Sequence, residues 1–238
     1  SVELASLYED IAHMCYRTKD MASAITSAEK ALAIAERLNA YEVVASSCAS
    51  LGTAFAYSGE NKKAIEYLEK ALRISLDKGY MATALRAYNN IPLALSSLES
   101  ERCLECYEKG LELAKKVGDV YNQCLLGFNL AGMKFNMGNI AEAVQIASET
   151  VALDRRTGNV FHLYTSTNAL GYAYQVLGEM EKSERCFKEA SSISRQLNDF
   201  QAIAGGYDYL GLSCFDKGDY AKAKEFFEKL NATLEKAG

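Results

Sequence analysis

Tryptophan is absent from these 238 residues, proline occurs once (Pro92) and histidine twice (His13 and His162). A chain this long with a single proline, and with alanine, leucine, glutamate and lysine throughout, favours helix, because nothing removes backbone donors from an i to i−4 ladder. Neither histidine has a nucleophile or carboxylate beside it in sequence, so no triad reads out. A phosphate-cradling glycine loop is also missing; Gly205-Gly206 is a lone pair that suits close packing or a slight bend. No apolar run reaches the roughly 18 residues of a membrane span. No basic-plus-apolar leader opens the chain, so nothing points to secretion. The net charge is −5 with no basic stripe, which argues against a nucleic-acid partner. What is present is ordinary globular material, 49% hydrophobic and 24% charged, which excludes a disordered chain. The first residue is Ser1, and we expect a segment of something longer.

Seven cysteines lie at 15, 48, 103, 106, 124, 186 and 214. An odd number without a framework pattern reads as reduced thiols in a cytoplasmic protein. Cys103 and Cys106 share a helix face, but a structural zinc site needs about four ligands and a thioredoxin-type motif needs a βαβ setting. We therefore expect no metal and no cofactor, and core packing for Cys103. Asn231 opens an Asn-x-Thr sequon that no secretory signal accompanies.

The organising feature is a repeat. Small residues stand at Ala24, Ala64, Cys103, Ala143, Ser183 and Ala223, in steps of 40, 39, 40, 40 and 40. In four of these repeats a glycine precedes the small residue by five positions: Gly59, Gly138, Gly178 and Gly218; repeat 3 has Leu98 there. A second series runs Asn39, Gly79, Gly118, Gly158 and Asn198. Glycine and asparagine tolerate the left-handed conformation that ends a helix. Two breaks per repeat leave two helices of roughly 17 residues, each about 25 Å long at 1.5 Å per residue. Between the breaks the apolar spacing is helical, as in Ala64, Leu68, Ala71, Leu72 and Leu76. No sustained strand-like alternation competes with it. Helices with short turns at a fixed period make a solenoid.

Leu51-Gly52 is followed by Phe55 and Leu170-Gly171 by Tyr174, while Leu210-Gly211 is followed by Cys214. In the second helices Cys103 pairs with Tyr107, Ser183 with Phe187 and Ala223 with Phe227, and the next small positions are Ala31, Ala71, Gly110, Thr150 and Ala190, with Leu230 in the last repeat. On these motifs the chain resembles the tetratricopeptide repeat family. A small residue where two helices cross lets a facing aromatic fill the gap. The period near 40 is similar to the long repeats of kinesin light chains, Leu-Gly-Asn adaptors and the MalT-like sensor arms of signalling ATPases. HEAT-type repeats have a comparable period but lack the Leu-Gly and turn-glycine pattern. The resemblance implies an all-α, right-handed α-solenoid superhelix of six helix–turn–helix repeats, near 1–39, 40–79, 80–118, 119–158, 159–198 and 199–238, forming one domain.

In such superhelices the first helix of each pair lines the concave face. The chain treats the two helix classes differently: segment 61–78 carries eight charged residues, whereas 160–177 carries none, and 41–57, 81–98 and 120–136 carry only Glu42, Arg86 and Lys134 respectively. Part of this reflects inner helices sandwiched between neighbours. The remainder describes a neutral groove suited to a peptide's main chain and apolar side chains. Asn90, Asn129 and Asn168 recur at 39-residue steps, and in Leu-Gly-Asn adaptors such amides hold an extended peptide. Amides can also cap turns or bond neighbouring helices. By position, Tyr57, Phe128, Phe135, Tyr172, Gln175, Asp208 and Phe215 join them as groove candidates. No basic clamp of the chaperone-binding kind appears on these helices.

The expectation is a non-catalytic scaffold that binds a protein or peptide partner. Two alternatives stand beside it: a sensing arm of a larger signalling protein, such as a MalT-like ATPase regulator or a cyclase, and a self-associating module. Val2, Leu4 and Leu7 open the first helix with no polar terminal repeat before them, so a preceding segment or a homodimer partner is expected to cover that end. The last helix, rich in Lys and Glu, could act as a cap. Pro92 is expected to kink its helix in the first turns, or to change the curvature between repeats 1–2 and 4–6.

Overall fold

The structure is a computed structural model that describes residues 1–95, 99–197 and 200–237, with the side chains of all of these except Gln201 and Ala237. Leu98 and Asn198 lie outside the described residues. The chain divides into two compact units, Ser1–Asp119 and Val120–Gly238. The first holds α1 (Val2–Arg17), α2 (Met21–Arg37), α3 (Tyr41–Tyr57), α4 (Asn61–Lys78), α5 (Met81–Ala94) and α6 (Ser100–Val117). The second holds α7 (Val120–Asn136), α8 (Ile140–Thr157), α9 (Val160–Val176), α10 (Met180–Leu197), α11 (Phe200–Asp216) and α12 (Tyr220–Ala237). Among the described residues there is no strand. The protein is all-α, and each unit is a solenoid stack of three helix hairpins.

The turns explain the regularity. Gly59, Gly138, Gly178 and Gly218 reverse the chain inside repeats with φ between 75° and 83°. The residue after each donates its backbone N–H to the carbonyl five positions back: Glu60 to Phe55, Asn139 to Lys134, Glu179 to Tyr174 and Asp219 to Cys214, all at 2.9 Å. This is the closing bond of a Schellman-type helix end, which needs a left-handed residue. In the first repeat that residue is Lys19, at φ 63°, and Asp20 donates to Cys15 in the same way. Asn39 (φ 53°), Gly79, Gly118 and Gly158 do the corresponding work between repeats.

Within the units, first helices stand side by side, α1 with α3, α3 with α5, and α7 with α9, each also packed on the second helices that flank it. The small positions Ala24, Ala64, Cys103, Ala143, Ser183 and Ala223 are all buried. Their neighbourhood shows why the Leu-Gly pairs carry glycine: a Cβ on Gly52 would meet Leu68 Cγ at 2.5 Å, one on Gly171 would meet the Phe187 ring at 2.8 Å, and one on Gly211 the Phe227 ring at 2.6 Å. Phe187, fully buried, also stacks on Tyr209 with centroids 4.9 Å apart.

The second helices carry the charge and are linked to one another by it. Lys70 of α4 pairs with Glu36 of α2 at 2.7 Å, Arg102 of α6 with Glu69 of α4, and Arg155 of α8 with Glu189 of α10 at 2.8 Å. Exposed pairs of this kind contribute about 0–1 kcal/mol each, so they mark a solvated face more than they hold the stack together.

The structure corrects one expectation about Pro92. The residue sits in the last turn of α5, not the first turns, and α5 stops at Ala94, with Leu95 extended at ψ 146°. The other first helices run to 16 or 17 residues, against 14 for α5. Proline cannot donate into the ladder and crowds the carbonyl four residues back, so the helix is shortened. The α1 stripe of Leu4, Leu7, Ile11 and Met14 is exposed, whereas Val44, Ser47, Leu51 and Ala54, forty residues on, are buried where α2 meets α3.

Candidate functional site

Helix starts fix the register. α5 begins 40 residues after α3, and α6 begins 39 after α4, so the missing residue lies in the α5–α6 turn. Asn90 and Asn129 therefore occupy one position, directly before Ile91 and Leu130, whereas Asn168 matches Asn89, one step earlier.

In the first unit a polar network ties three first helices together. Arg86 of α5 donates from Nη2 to the Ser46 carbonyl at 2.6 Å and to Glu9 Oε1 at 3.5 Å. Ser50 Oγ donates to the same Glu9 oxygen at 2.8 Å. Asn90 Nδ2 donates to Thr53 Oγ1 at 2.8 Å and its Oδ1 accepts from Asn89 Nδ2 at 2.9 Å. Thr53 in turn donates to the Ala49 carbonyl at 2.7 Å. Ser50, Thr53, Arg86 and Asn90, with His13 and Tyr16, line a small cavity of about 30 Å³. Beside it the Tyr16 and Tyr57 rings meet edge to face at 5.4 Å. Burial, then the hydrogen bond with Tyr57, pushes the Tyr16 phenol pKa up. An open cleft of about 530 Å³ continues past them along Arg17, Lys19 and Met21. A second cleft, about 670 Å³, lies at the other end of α1 and α3 and carries Glu9, Asp10 and Glu42 with Tyr41 and Tyr80.

In the second unit the polar centre lies elsewhere. The Asp154 carboxylate of α8, 1% exposed, takes a ring nitrogen of His162 at 2.7 Å and the Ser166 hydroxyl at 2.6 Å. Burial pushes its pKa up, but the hydrogen bonds from His162, Ser166 and Cys124 outweigh this and hold it below the usual carboxylate value. Burial, with the bond to Asp154, pushes the Cys124 thiol up to about 12, so it is a protonated donor. Phe128 lies edge-on to the His162 ring at 5.8 Å. Further along, Phe135 and Tyr172 stand 5.6 Å apart at the mouth of an apolar cavity of about 150 Å³ between α7, α8 and α9.

The groove candidates fall into distinct settings. Tyr57, Tyr172 and Phe215 are exposed, and Phe128, Asn129, Phe135, Gln175 and Asp208 are half-buried. Phe135 and Tyr172 are brought together; Gln175 instead donates to Asp216 at 2.5 Å, and Phe215 packs on Tyr220 at 5.4 Å. Asn90 is buried and bonded inside its unit. Asn168, 7% exposed, keeps a side-chain oxygen with no partner. Sequence reasoning did not place Glu9, His13 or Tyr16 at the site, nor the Asp154 cluster. The sole charge of α5, Arg86, was the one visible pointer to the first network. Among the described residues no group of three or more His, Cys, Asp and Glu could hold a metal ion, and no helix is long and apolar enough to cross a membrane.

Profiles described as tetratricopeptide repeat match residues 3–77 and, for a second profile, 165–197 and 207–231, which together take in more than half of the chain. The chain belongs to the tetratricopeptide repeat family. A curated member, tetratricopeptide repeat protein 29 of Trypanosoma brucei brucei, is 28% identical over 142 residues, or 58% of this chain; the match spans only 29% of that relative. Among solved tetratricopeptide structures, a signal transduction ATPase with numerous domains and a tetratricopeptide repeat sensor, from Pyrococcus horikoshii, superposes with a TM-score of 0.81 at 19% identity, covering 93% of this chain and 34% of that one. A Rap protein complexed with competence and sporulation factor superposes at 0.65 with 14% identity, covering 98% and 75%. At these identities the superpositions speak for the fold.

Proposed function

We propose that this protein is a non-catalytic scaffold whose rows of first helices bind an extended segment of a protein partner. The observation that carries this is the division of labour between helices. The second helices are charged and linked by surface ion pairs, while the first helices present clefts, aromatic pairs and few charges. Such a surface offers desolvated aromatic anchors with a few fixed polar groups, the composition that distinguishes binding surfaces. The tetratricopeptide fold, and a structural neighbour solved with a bound factor, agree with this reading.

The test is selection of linear peptides, blocked at both ends, on the intact chain. Peptides held by the first helices are expected to bind about tenfold more weakly to Tyr172→Glu and within about twofold to Lys188→Glu on the second-helix face. Peptides indifferent to Tyr172→Glu would move the site off the first helices. A second reading, a sensing arm of a larger signalling protein, is favoured by the similarity to the repeat sensor of the Pyrococcus ATPase. A third, self-association through the exposed α1 stripe, predicts a concentration-dependent dimer in light scattering that Leu7→Asp abolishes.

A further inference from the structure

The eighth residue of each second helix is Ala28, Leu68, Tyr107, Ala147, Phe187 and Phe227. Leu68, Phe187 and Phe227 press on the glycine of their own repeat closely enough that no Cβ would fit there. In the fourth repeat the facing residue is Ala131, and the large side chain is missing because the position is Ala147. The apolar cavity of about 150 Å³ is lined by both of these alanines, with Ala143, Ala169, Phe135 and Tyr172. The cavity thus lies where Phe187 and Phe227 sit in the two repeats that follow, less the part that the Ala131 methyl takes. Gly132, also on its wall, is exposed, and a Cβ there would meet nothing within 4 Å, so the space is open beside the Phe135–Tyr172 pair.

We infer that this cavity is a specificity pocket that receives one phenyl ring, supplied by a phenylalanine of the partner. Three features select that occupant. The volume matches a benzene-sized guest, since an engineered apolar cavity of about 150 Å³ in another protein binds benzene. The wall offers no charge and one amide, Asn136, so a charged or strongly polar group would lose its hydration uncompensated. The two rings at the mouth can meet an incoming ring edge to face. The inference rests on the reading of the first helices as the binding face, and it deepens that reading by naming an anchor.

The experiment fills the pocket from within. Ala147→Phe together with Ala131→Gly restores the ring and the facing glycine of the sister repeats, and Ala147→Leu with Ala131→Gly, the pair of the second repeat, serves if the larger ring misfolds. Benzene is expected to raise the melting temperature of the wild-type protein by about 2–4 °C and to leave that of the filled variant unchanged. Blocked peptides selected on wild type are expected to share a phenylalanine and to bind the filled variant at least about tenfold more weakly. A merely structural role for the cavity would leave peptide binding to the filled variant unchanged. If benzene has no effect on wild type, or if selected peptides bind the filled variant equally well, the pocket is not the anchor site; in the second case the peptide-binding reading survives. If no peptide is selected, both fall.

Discussion

The two units are built on one plan, 119 residues apart, yet they keep their polarity in different places. Where the first unit has His13, Tyr16, Ser50 and Thr53 on its first helices, the second has Gly132, Phe135, Ala169 and Tyr172. The first unit therefore closes its cavity with hydrogen-bonding groups around Arg86 and Asn90, and the second leaves it wider and apolar. One layer deeper the contrast reverses. The second unit buries Asp154, Ser166 and Cys124 beside the half-buried His162, and the equivalent residues of the first, Ala35, Ser47, Ala5 and Val43, are all buried. A fixed helix register thus tolerates a polar cluster in either layer, provided its members satisfy one another. The exception within the first unit is instructive: Ser47 stands where Ser166 stands, but its hydroxyl has no partner because the carboxylate is gone.

The largest effect is expected from making the second unit resemble the first by halves. Asp154→Ala removes the acceptor shared by three donors and should cost at least about 3 kcal/mol in urea unfolding, since a hydrogen bond to a charged group is worth about 1.5–3 kcal/mol. Adding His162→Val, the residue type of the first unit, should recover much of this, because hydrophobic replacement of the whole pair is often nearly neutral. A cost below about 1 kcal/mol for the single change would show that the cluster is incidental. Acid provides the second handle. The folded pKa of Asp154 lies below its unfolded value, so the unfolded chain takes up the proton first. Its contribution is complete above the unfolded pKa of about 4 and is lost as pH falls through the lower folded value. The double variant should lose that part of the acid sensitivity.

A smaller effect separates the repeats within the second unit. Gly171→Ala places a methyl 2.8 Å from the Phe187 ring and 3.0 Å from Cys186 Cβ, and overpacking of this kind costs about 1–3 kcal/mol. The fourth repeat already carries Ala131 at that position and accommodates it because Ala147 leaves room. Gly171→Ala should accordingly cost little in a Phe187→Ala background, the residue pair of the fourth repeat, measured as the melting temperature of the double variant against each single one. No rescue would mean that the methyl clashes with backbone or Cys186 instead of the ring.

The repeat grammar was legible because it is local. Apolar spacing and turn glycines placed α3 at 41–57 and α4 at 61–78, where the structure has them. Small residues at the crossing positions told which faces would be buried, and all six are. What stayed hidden depends on side chains that meet across a turn or between repeats. Asp154 and His162 straddle Gly158, so their pairing follows from the hairpin geometry and not from spacing along one helix. Asn90 could be read as a groove amide or as a bond between helices, and its bond to Thr53, thirty-seven residues away, could not be seen from spacing. The absent aromatic at position 147 was readable, but whether the space would collapse or stay open depended on how Phe135 and Tyr172 settle around it. Pro92 announced a disturbance, and only the register showed that it falls at the helix end, at the position where other repeats use glycine or alanine.

The smallest expected effect concerns the turn that departs from the glycine rule. Lys19 adopts φ 63°, and its counterpart 119 residues on is Gly138, at φ 83°. A side chain in the left-handed region costs about 1–2 kcal/mol. Glycine avoids that cost but has more freedom to lose on folding, which takes back about 0.5–1 kcal/mol. The balance predicts that Lys19→Gly stabilises the chain by about 0.5 kcal/mol, and that the reverse change, Gly138→Lys, destabilises it by a similar amount. Both follow from denaturant midpoints at constant m-value. If Lys19→Gly is instead destabilising, the lysine stem over the 530 Å³ cleft contributes packing beyond the turn, and the first unit uses its odd turn residue to shape that cleft.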